Sequence, residues 1–299
     1  MVDVHFNIRM DRKLDRFILK SAAIAARLLP SSIKRAIYQH PRLARLIRNR
    51  LNQAAPKELA QVQIAAGSLS GKSLVLDLKT EKDYWLGTYE PELQAAIQDW
   101  VKPGMVVYDI GANIGYISLM MAQAAGQTGH VFAFEALPAN EKRLVENIAL
   151  NNYQDRITVM KYAVIDESRQ IRFWIGPSDD MGKVEGSAGR EEITYKDSIL
   201  VDGISLDWFT FELGHSIPHL IKIDIEGGEV LAVHGMKRLL TEAHPIILVE
   251  LHGPQAGQVT WEVLTNCGYE IQRMEKGYPK VSSFDELDWK SYLIAFPRD

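Results

Sequence analysis

Val106-Val107-Tyr108-Asp109-Ile110-Gly111-Ala112-Asn113-Ile114-Gly115-Tyr116 decides how the rest of the chain is read. With Met105 in front, its first half is short, mostly apolar and bounded by Pro103-Gly104 and Gly111, the profile of a buried strand. Beyond Gly115, the residues Ile117, Met120, Met121 and Ala124 fall at helical spacing, so a helix is expected from about Ile114. Strand, glycine turn and helix bring a ligand close to bare backbone and to the positive end of a helix. Asp109 closes the strand, and its carboxylate is expected to point into the same crevice. The pattern is D-x-G-x-N-x-G, not the G-x-G-x-x-G that seats a dinucleotide pyrophosphate. An acid before the first glycine repels a pyrophosphate and attracts a cationic ligand group.

The next strands repeat the theme. Val131–Glu135 is apolar and ends in an acid, with Glu135 placed to accept hydrogen bonds from ribose hydroxyls. Pro138 opens the following helix. Ile157–Met160 reads as a third strand, with Tyr162-Ala163-Val164 just beyond its end. Leu220-Ile221-Lys222-Ile223-Asp224-Ile225-Glu226-Gly227-Gly228-Glu229 alternates apolar and charged residues, then turns into a helix expected over Val230–Leu240. Lys222, Asp224 and Glu226 are expected to share one face, which is expensive to bury unless the charges are paired or used. Pro245–Glu250 is another strand, and it brings Glu250 and His252 to the same edge.

The remainder supplies context. Apolar residues make up 46% and charged residues 24% of the 299, the profile of a soluble globular protein. One cysteine, Cys267, excludes an intrachain disulfide and a cysteine zinc cluster, in keeping with a cytoplasmic protein. The net charge of -4 hides an asymmetry: residues 1–50 hold 12 Lys and Arg against 3 Asp and Glu. The acidic body argues against a nucleic-acid partner. Residues 1–53 read as a basic helical arm with no apolar run long enough to span a membrane. It is expected to cap the domain; the alternative is contact with a partner or with an anionic membrane, peripherally at its inner face. Residues 54–104 read as a hairpin, Val62–Ala65 with Leu74–Leu78, and a lead-in helix after Pro91. Tyr89 and Glu90 just before it are candidates to roof a cofactor. Residues 105–299 form the core. The stretch Gly176–Arg190 is expected to be a long loop over the substrate, its tip poorly ordered when empty.

Four features together resemble the FkbM family of class I S-adenosylmethionine-dependent methyltransferases. They are Tyr84–Glu90, Asp109–Gly115, Phe134–Asn140 and Ile221–Glu229, with Asn147, Asn151 and Glu250 also in keeping. Ala136 stands where the family often has proline, and Gly228 where alanine is common. The resemblance covers roughly residues 60–297 and leaves the arm aside. It implies a Rossmann-like α/β fold, a seven-stranded mostly parallel sheet with one antiparallel edge strand. It implies S-adenosyl-L-methionine as cofactor, held by Tyr89, Glu90, Asp109, Gly111, Asn113, Gly115, Glu135, Ala136, Ala163 and Asp224. It further implies methyl transfer to a hydroxyl of a sugar, glycan or secondary metabolite. Such a hydroxyl needs a base, for which Asp224, Glu226 and His252 are the candidates. A divalent metal on Asp224, Glu226, Glu250 and His252 is a second route, not the favoured one. Asp109→Ala is expected to abolish cofactor binding and spare the fold. The rival reading is a catalytically inactive docking protein that keeps the fold and works through its basic arm.

Overall fold

A computed structural model describes residues 13–30, 33, 37, 40–176, 182–189, 195 and 197–298. The chain divides into two compact units, the first running to Pro91 and including Ala149–Asn151, the second holding the rest.

In the first unit, α1 (Lys13–Leu28) and α2 (Pro41–Ala54) form the arm. Pro41 suits the opening turn of α2, where an amide hydrogen would have no partner. Leu19 and Ala23 of α1, and Leu51 and Ala54 of α2, are buried. The hairpin pairs β1 (Ala60–Gln63) with β2 (Ser73–Leu76), a register two residues earlier than the apolar runs suggested at its first strand. Asn151 locks it, accepting from the Ser73 amide at 2.9 Å and donating to the Ser73 carbonyl at 2.7 Å. The short helix α3 (Lys82–Leu86) buries Tyr84 and Trp85.

The helix α4 (Pro91–Trp100) belongs, from Glu92 on, to the second unit. Its main sheet has seven strands: β3 (Val106–Ile110), β4 (His130–Phe134), β5 (Ile157–Met160), β10 (Leu220–Ile223), β11 (Ile246–His252), β12 (Tyr269–Arg273) and β13 (Lys290–Pro297). Their order is β12-β13-β11-β10-β3-β4-β5. The α/β fold expected from the sequence is therefore present, with one correction of detail. The reversed strand is β13, antiparallel to both β11 and β12, so it lies one place in from the edge and β12 takes the edge itself. The helix α8 (Pro254–Asn266) between β11 and β12 carries the chain across, so β12 runs parallel to β11 and leaves a gap that β13 fills. β3 steps to β4 and β5 on one side, by way of α5 (Tyr116–Ala125) and α6 (Pro138–Leu150), and pairs with β10 on the other. That reversal of direction makes the carboxyl ends of β3 and β10 the crevice of the sheet. Tyr108, Phe132, Phe134 and Phe209 pack edge to face beneath it at 5.0–5.6 Å.

A second sheet was not foreseen. It orders β6 (Ala163–Val164), β9 (Asp197–Ile204), β7 (Arg169–Ile175) and β8 (Gly182–Val184). β8 falls inside the stretch expected to be a loop; its glycine carries no strand signal, and pairing with Phe173–Ile175 makes the strand. The tip expected to be poorly ordered includes 177–181 and 190, which lie outside the described residues. The helix expected over Val230–Leu240 is broken: α7 covers Glu229–Ala232, and a 3-10 turn at His234–Met236 and a wider turn at Leu239–Ala243 follow.

Candidate active site

The glycine loop is held from behind by its neighbours. Gly111 and Ala112 donate their amides to the Phe134 carbonyl, at 3.1 and 2.9 Å, and Gly115 donates to Ala112 at 2.9 Å. Asn113, in the left-handed region at φ 49°, donates its amide to Glu135 Oε2 at 2.8 Å. The Asn147 side chain donates to the Ile114 carbonyl at 2.8 Å. Four amides of the loop are thus spent inside the protein, and carboxylates stand at the ends of β3 and β4. A pyrophosphate needs such amides free. Gly111, at φ 77°, has no room for a side chain: a Cβ would meet the Asp224 carbonyl oxygen at 2.0 Å. The loop and the end of β10 touch through bare backbone at that point.

Asp109 is fully buried. Its Oδ2 accepts from Ser118 Oγ at 2.6 Å, and its Oδ1 lies 3.3 Å from Lys222 Nζ. Lys222 also donates to the Gly111 carbonyl at 3.0 Å and sits 3.6 Å from Asp224 Oδ2. The carboxylate expected in the crevice is therefore engaged beneath the loop, positioning it through Lys222 and Ser118. Glu135 is also buried, and its Oε1 accepts from the Leu137 amide at 2.8 Å. Burial pushes its pKa up to about 7 against the pull of those two amides and of Lys222. Ala163 and Ala136 pack into a small apolar cluster with Ile165, Ile171 and Val184. Tyr89 and Glu90 belong to the first unit, where Tyr89 lies against Tyr84 at 4.3 Å and Glu90 adopts φ 40°.

The second cluster gathers at the ends of β10 and β11. β10 ends at Ile223, sooner than the alternation suggested. Asp224 and Glu226 therefore reach the site through a turn, with Glu226 at φ 52° and Gly227 at φ 98°. Such left-handed backbone at a non-glycine residue is strained and concentrates at functional sites. Lys222 turns toward the loop, and Asp224 and Glu226 face His252. His252 Nε2 lies 3.1 Å from Glu250 Oε1, 3.7 Å from Glu226 Oε1 and 3.8 Å from Asp224 Oδ1. Its Nδ1 is 3.0 Å from Glu229 Oε1. Lys290, the register partner of His252 on β13, pairs closely with Glu250.

The electrostatics follow. Burial works against a charge on His252, but hydrogen bonds to Glu229 and Glu250 and the charges of Glu229 and Asp224 push its pKa up to about 11. Burial opposes ionisation of Glu250, but His252 and Lys290 bring it down to about 2. Burial, with the charge of Glu250, holds Asp224 above the usual carboxylate value against the pull of Lys222. At neutral pH the imidazole is a cation among acids. Asp224, Glu250 and His252 each offer one ligand atom, all within 4.8 Å of one another, so a divalent ion is geometrically conceivable there. It would have to displace the imidazolium proton.

Asp109, Gly111, Asn113, Gly115, Glu135, Asp224, Glu226 and His252 thus all lie at the crevice edge of one sheet. Sequence reasoning missed three contributors. Glu229 was read only as part of a turn into a helix, yet its side chain is fully buried against His252. Ser118 is a small polar residue on an apolar helix, a usable signal. Lys290 lies 40 residues beyond Glu250, and only the strand pairing brings them together.

Over 147 residues, 49% of this chain, it is 26% identical to the hexuronic acid methyltransferase AglP of Haloferax volcanii. It spans only 56% of that relative's length. Among solved structures it is similar to an FkbM methyltransferase from Methylobacillus flagellatus KT, with TM-score 0.43 and 19% identity, covering 75% of this chain and 56% of that one. It is also similar to an S-adenosylmethionine-dependent O-methyltransferase from Thermotoga maritima, with TM-score 0.43 and 15% identity, covering 85% and 81%. The sequence profile of the methyltransferase FkbM domain matches residues 109–271, from the acid that ends β3 to the middle of β12, and the chain belongs to that family.

Proposed function

We propose that the protein transfers a methyl group from S-adenosylmethionine to a hydroxyl of a sugar or glycan. The observation that carries this is the glycine loop: its amides are already spent on Phe134 and Glu135, and its rim is anionic. Such a loop suits a sulfonium and an ammonium and is a poor seat for a pyrophosphate. Glu135 keeps lone pairs for ribose hydroxyls beside its two backbone amides. The cofactor supplies the electrophilic methyl group and its own leaving group. Gly111, Asn113, Gly115, Glu135, Ala136 and Ala163 are the residues of this unit assigned to hold it, with Asp109 fixing the loop from beneath through Ser118 and Lys222.

In the reaction the acceptor oxygen bonds to the methyl carbon, the carbon–sulfur bond breaks, and the hydroxyl proton goes to a base. Much of the rate comes from alignment. Of the three candidates, Asp224 suits the base best. It is partly exposed, and its pKa is raised toward the working range. Glu226 is the next candidate. His252 is protonated at neutral pH and serves instead as the counter-cation that keeps the acids together. Among the described residues, five carboxylates, Asp109, Asp224, Glu226, Glu229 and Glu250, gather with the cations Lys222, Lys290 and His252. That excess favours a neutral hydroxyl over a sugar carboxylate as acceptor. The relative from Haloferax volcanii, a hexuronic acid methyltransferase by name, supports a sugar acceptor. The cytoplasm is the compartment this reading asks for, since the cofactor is made there.

The test is calorimetric titration with S-adenosylhomocysteine beside NAD, then methyl transfer to a panel of sugars. Micromolar binding of the first alone, and turnover lost in Asp224→Asn with binding kept, is the expected result. Binding of NAD would overturn this reading in favour of a dinucleotide-dependent enzyme, and binding of neither would favour an inactive docking protein.

A further inference from the structure

The arm presents a surface that the reaction does not use. α1 is apolar on two sides. Leu19 and Ala23 are buried on one, at 1% and 3% exposure. On the other, Leu14, Phe17, Ile24 and Leu28 are 65%, 68%, 54% and 73% exposed. At about 100° per residue these four fall within an arc of about 80°, opposite the buried pair. On α2, Leu43, Leu46 and Ile47 are exposed on one arc of about 100°, the same side on which Leu51 and Ala54 become buried toward the helix end. Seven large apolar side chains on two neighbouring helices of one unit are more than scattered surface residues. Ile47 also lines an apolar groove of about 150 Å³ in the same unit, with Ala22, Ala25, Leu29, Ala44 and Leu51.

The charges beside this face are of one sign. Residues 13–54 hold ten Lys and Arg and a single acid, Asp15. Lys20 and Arg27 flank the exposed face of α1. On α2, Arg42 borders the exposed arc and Arg50 falls within it, and both are exposed. A second copy would bring the same ten cations against this face, so pairing of arm on arm is opposed by like charge. Nucleic acid would satisfy the cations but not Leu14, Phe17, Ile24 and Leu28. An anionic bilayer satisfies both, with the apolar arc below the headgroups and the cations at the phosphates. No helix among the described residues is long and apolar enough to cross a membrane, so the contact is one of lying on the surface.

We propose that α1 and α2 dock the protein on an anionic lipid surface through Leu14, Phe17, Ile24, Leu28, Leu43, Leu46 and Ile47, with the flanking Lys and Arg on the headgroups. This does not depend on the methyl acceptor or on the cofactor.

The test is co-sedimentation of the full chain with vesicles of phosphatidylcholine alone and of phosphatidylcholine mixed with phosphatidylglycerol. Binding to the mixed vesicles, at least about tenfold weaker on phosphatidylcholine alone and falling as salt rises, is expected. The double variant Phe17→Glu with Leu28→Glu should lose that binding and keep its circular dichroism and thermal midpoint, because both side chains are exposed. Arg42→Glu with Arg45→Glu should weaken binding and flatten its salt dependence. No binding to the mixed vesicles, or binding unchanged in Phe17→Glu with Leu28→Glu, would overturn the proposal. So would light scattering that shows a dimer of the wild type, broken by the same variant, without vesicle binding.

Discussion

His252 Nδ1 stands 3.0 Å from Glu229 Oε1, and both side chains are sealed from solvent, at 2% and 0% exposure. The acids around the ring favour its protonated form over the penalty of burial. The same ring meets Glu250, Glu226 and Asp224 through its other nitrogen. One cation thus holds four acids at the mouth of the crevice, with Lys290 behind Glu250 and Lys222 behind Asp224.

Removal of that cation leaves buried charge uncompensated. His252→Ala is expected to cost about 3–5 kcal/mol of stability, the usual result of breaking one side of a buried pair. Urea unfolding at pH 7 measures it. A loss below about 1 kcal/mol would mean that the acids are not held by this ring.

The pH dependence has a defined sign. The folded pKa of His252 is about 11, above its ordinary value of 6.5, so its contribution is full below about 6.5 and is lost as pH rises through 11. The stability gap between wild type and His252→Gln should therefore narrow steadily between pH 7 and pH 10. Glu250 works at the opposite end. Its pKa of about 2 lies below the ordinary 4.5, so its contribution is present above about 4.5 and is lost as pH falls toward 2. Denaturant midpoints at these pH values test both. A gap that stays constant from pH 7 to 10 would show that the imidazole is neutral.

Glu135→Gln should weaken S-adenosylhomocysteine binding by about tenfold to a hundredfold, or about 1.4–2.7 kcal/mol. Both carboxylate oxygens already accept from amides, those of Asn113 and Leu137. A glutamine must turn its NH2 toward one of these donors, which spoils the loop as well as the ribose contact. Calorimetry on the folded variant gives the number, and an unchanged affinity would remove Glu135 from the cofactor site.

Two glycines of the loop should separate cleanly. Gly111→Ala puts a Cβ against the Asp224 carbonyl, a backbone atom that cannot step aside. Gly115→Ala meets Leu144 Cδ1 at 2.5 Å, the end of a flexible side chain. The first should abolish cofactor binding and lower the thermal midpoint. The second, also at positive φ, should cost about 1–2 kcal/mol and keep measurable binding. Equal effects would mean that the contact between the loop and β10 is not what demands glycine.

Chelation addresses the metal alternative. With the imidazole charged, treatment with EDTA should leave the methyl-transfer rate unchanged within about twofold, and added magnesium should not raise it. A loss restored by magnesium would instead place a divalent ion on Asp224, Glu250 and His252.

The expected Asp109→Ala phenotype needs revision on the same physical grounds. The residue was read as a ligand whose removal spares the fold. Its carboxylate is buried on Ser118 and Lys222, so removal leaves a buried ammonium short of its partner and costs stability as well. The substitution Asp109→Asn is the milder probe.

Local pattern by itself determined much of this protein. Short apolar runs ending in Asp109 and Glu135, glycines at 111 and 115, and the alternation from Leu220 onward specify parallel strands with ligand-facing ends, because strand, turn and helix are set by spacing along the chain. The same spacing marked Asp224, Glu226 and His252 as one group. Only the tertiary structure decided what each does. It ended β10 at Ile223 and swung Asp224 and Glu226 round a turn, buried Glu229 beneath His252, and brought Lys290 to Glu250 across an antiparallel pair. It also built a second sheet partly from a glycine-rich stretch with no strand signal, and set β13 inside the sheet edge. These outcomes rest on contacts between residues far apart in sequence. Whether an acid is a ligand, a base or half of an ion pair depends on which charges the fold carries to it and how much water it leaves there.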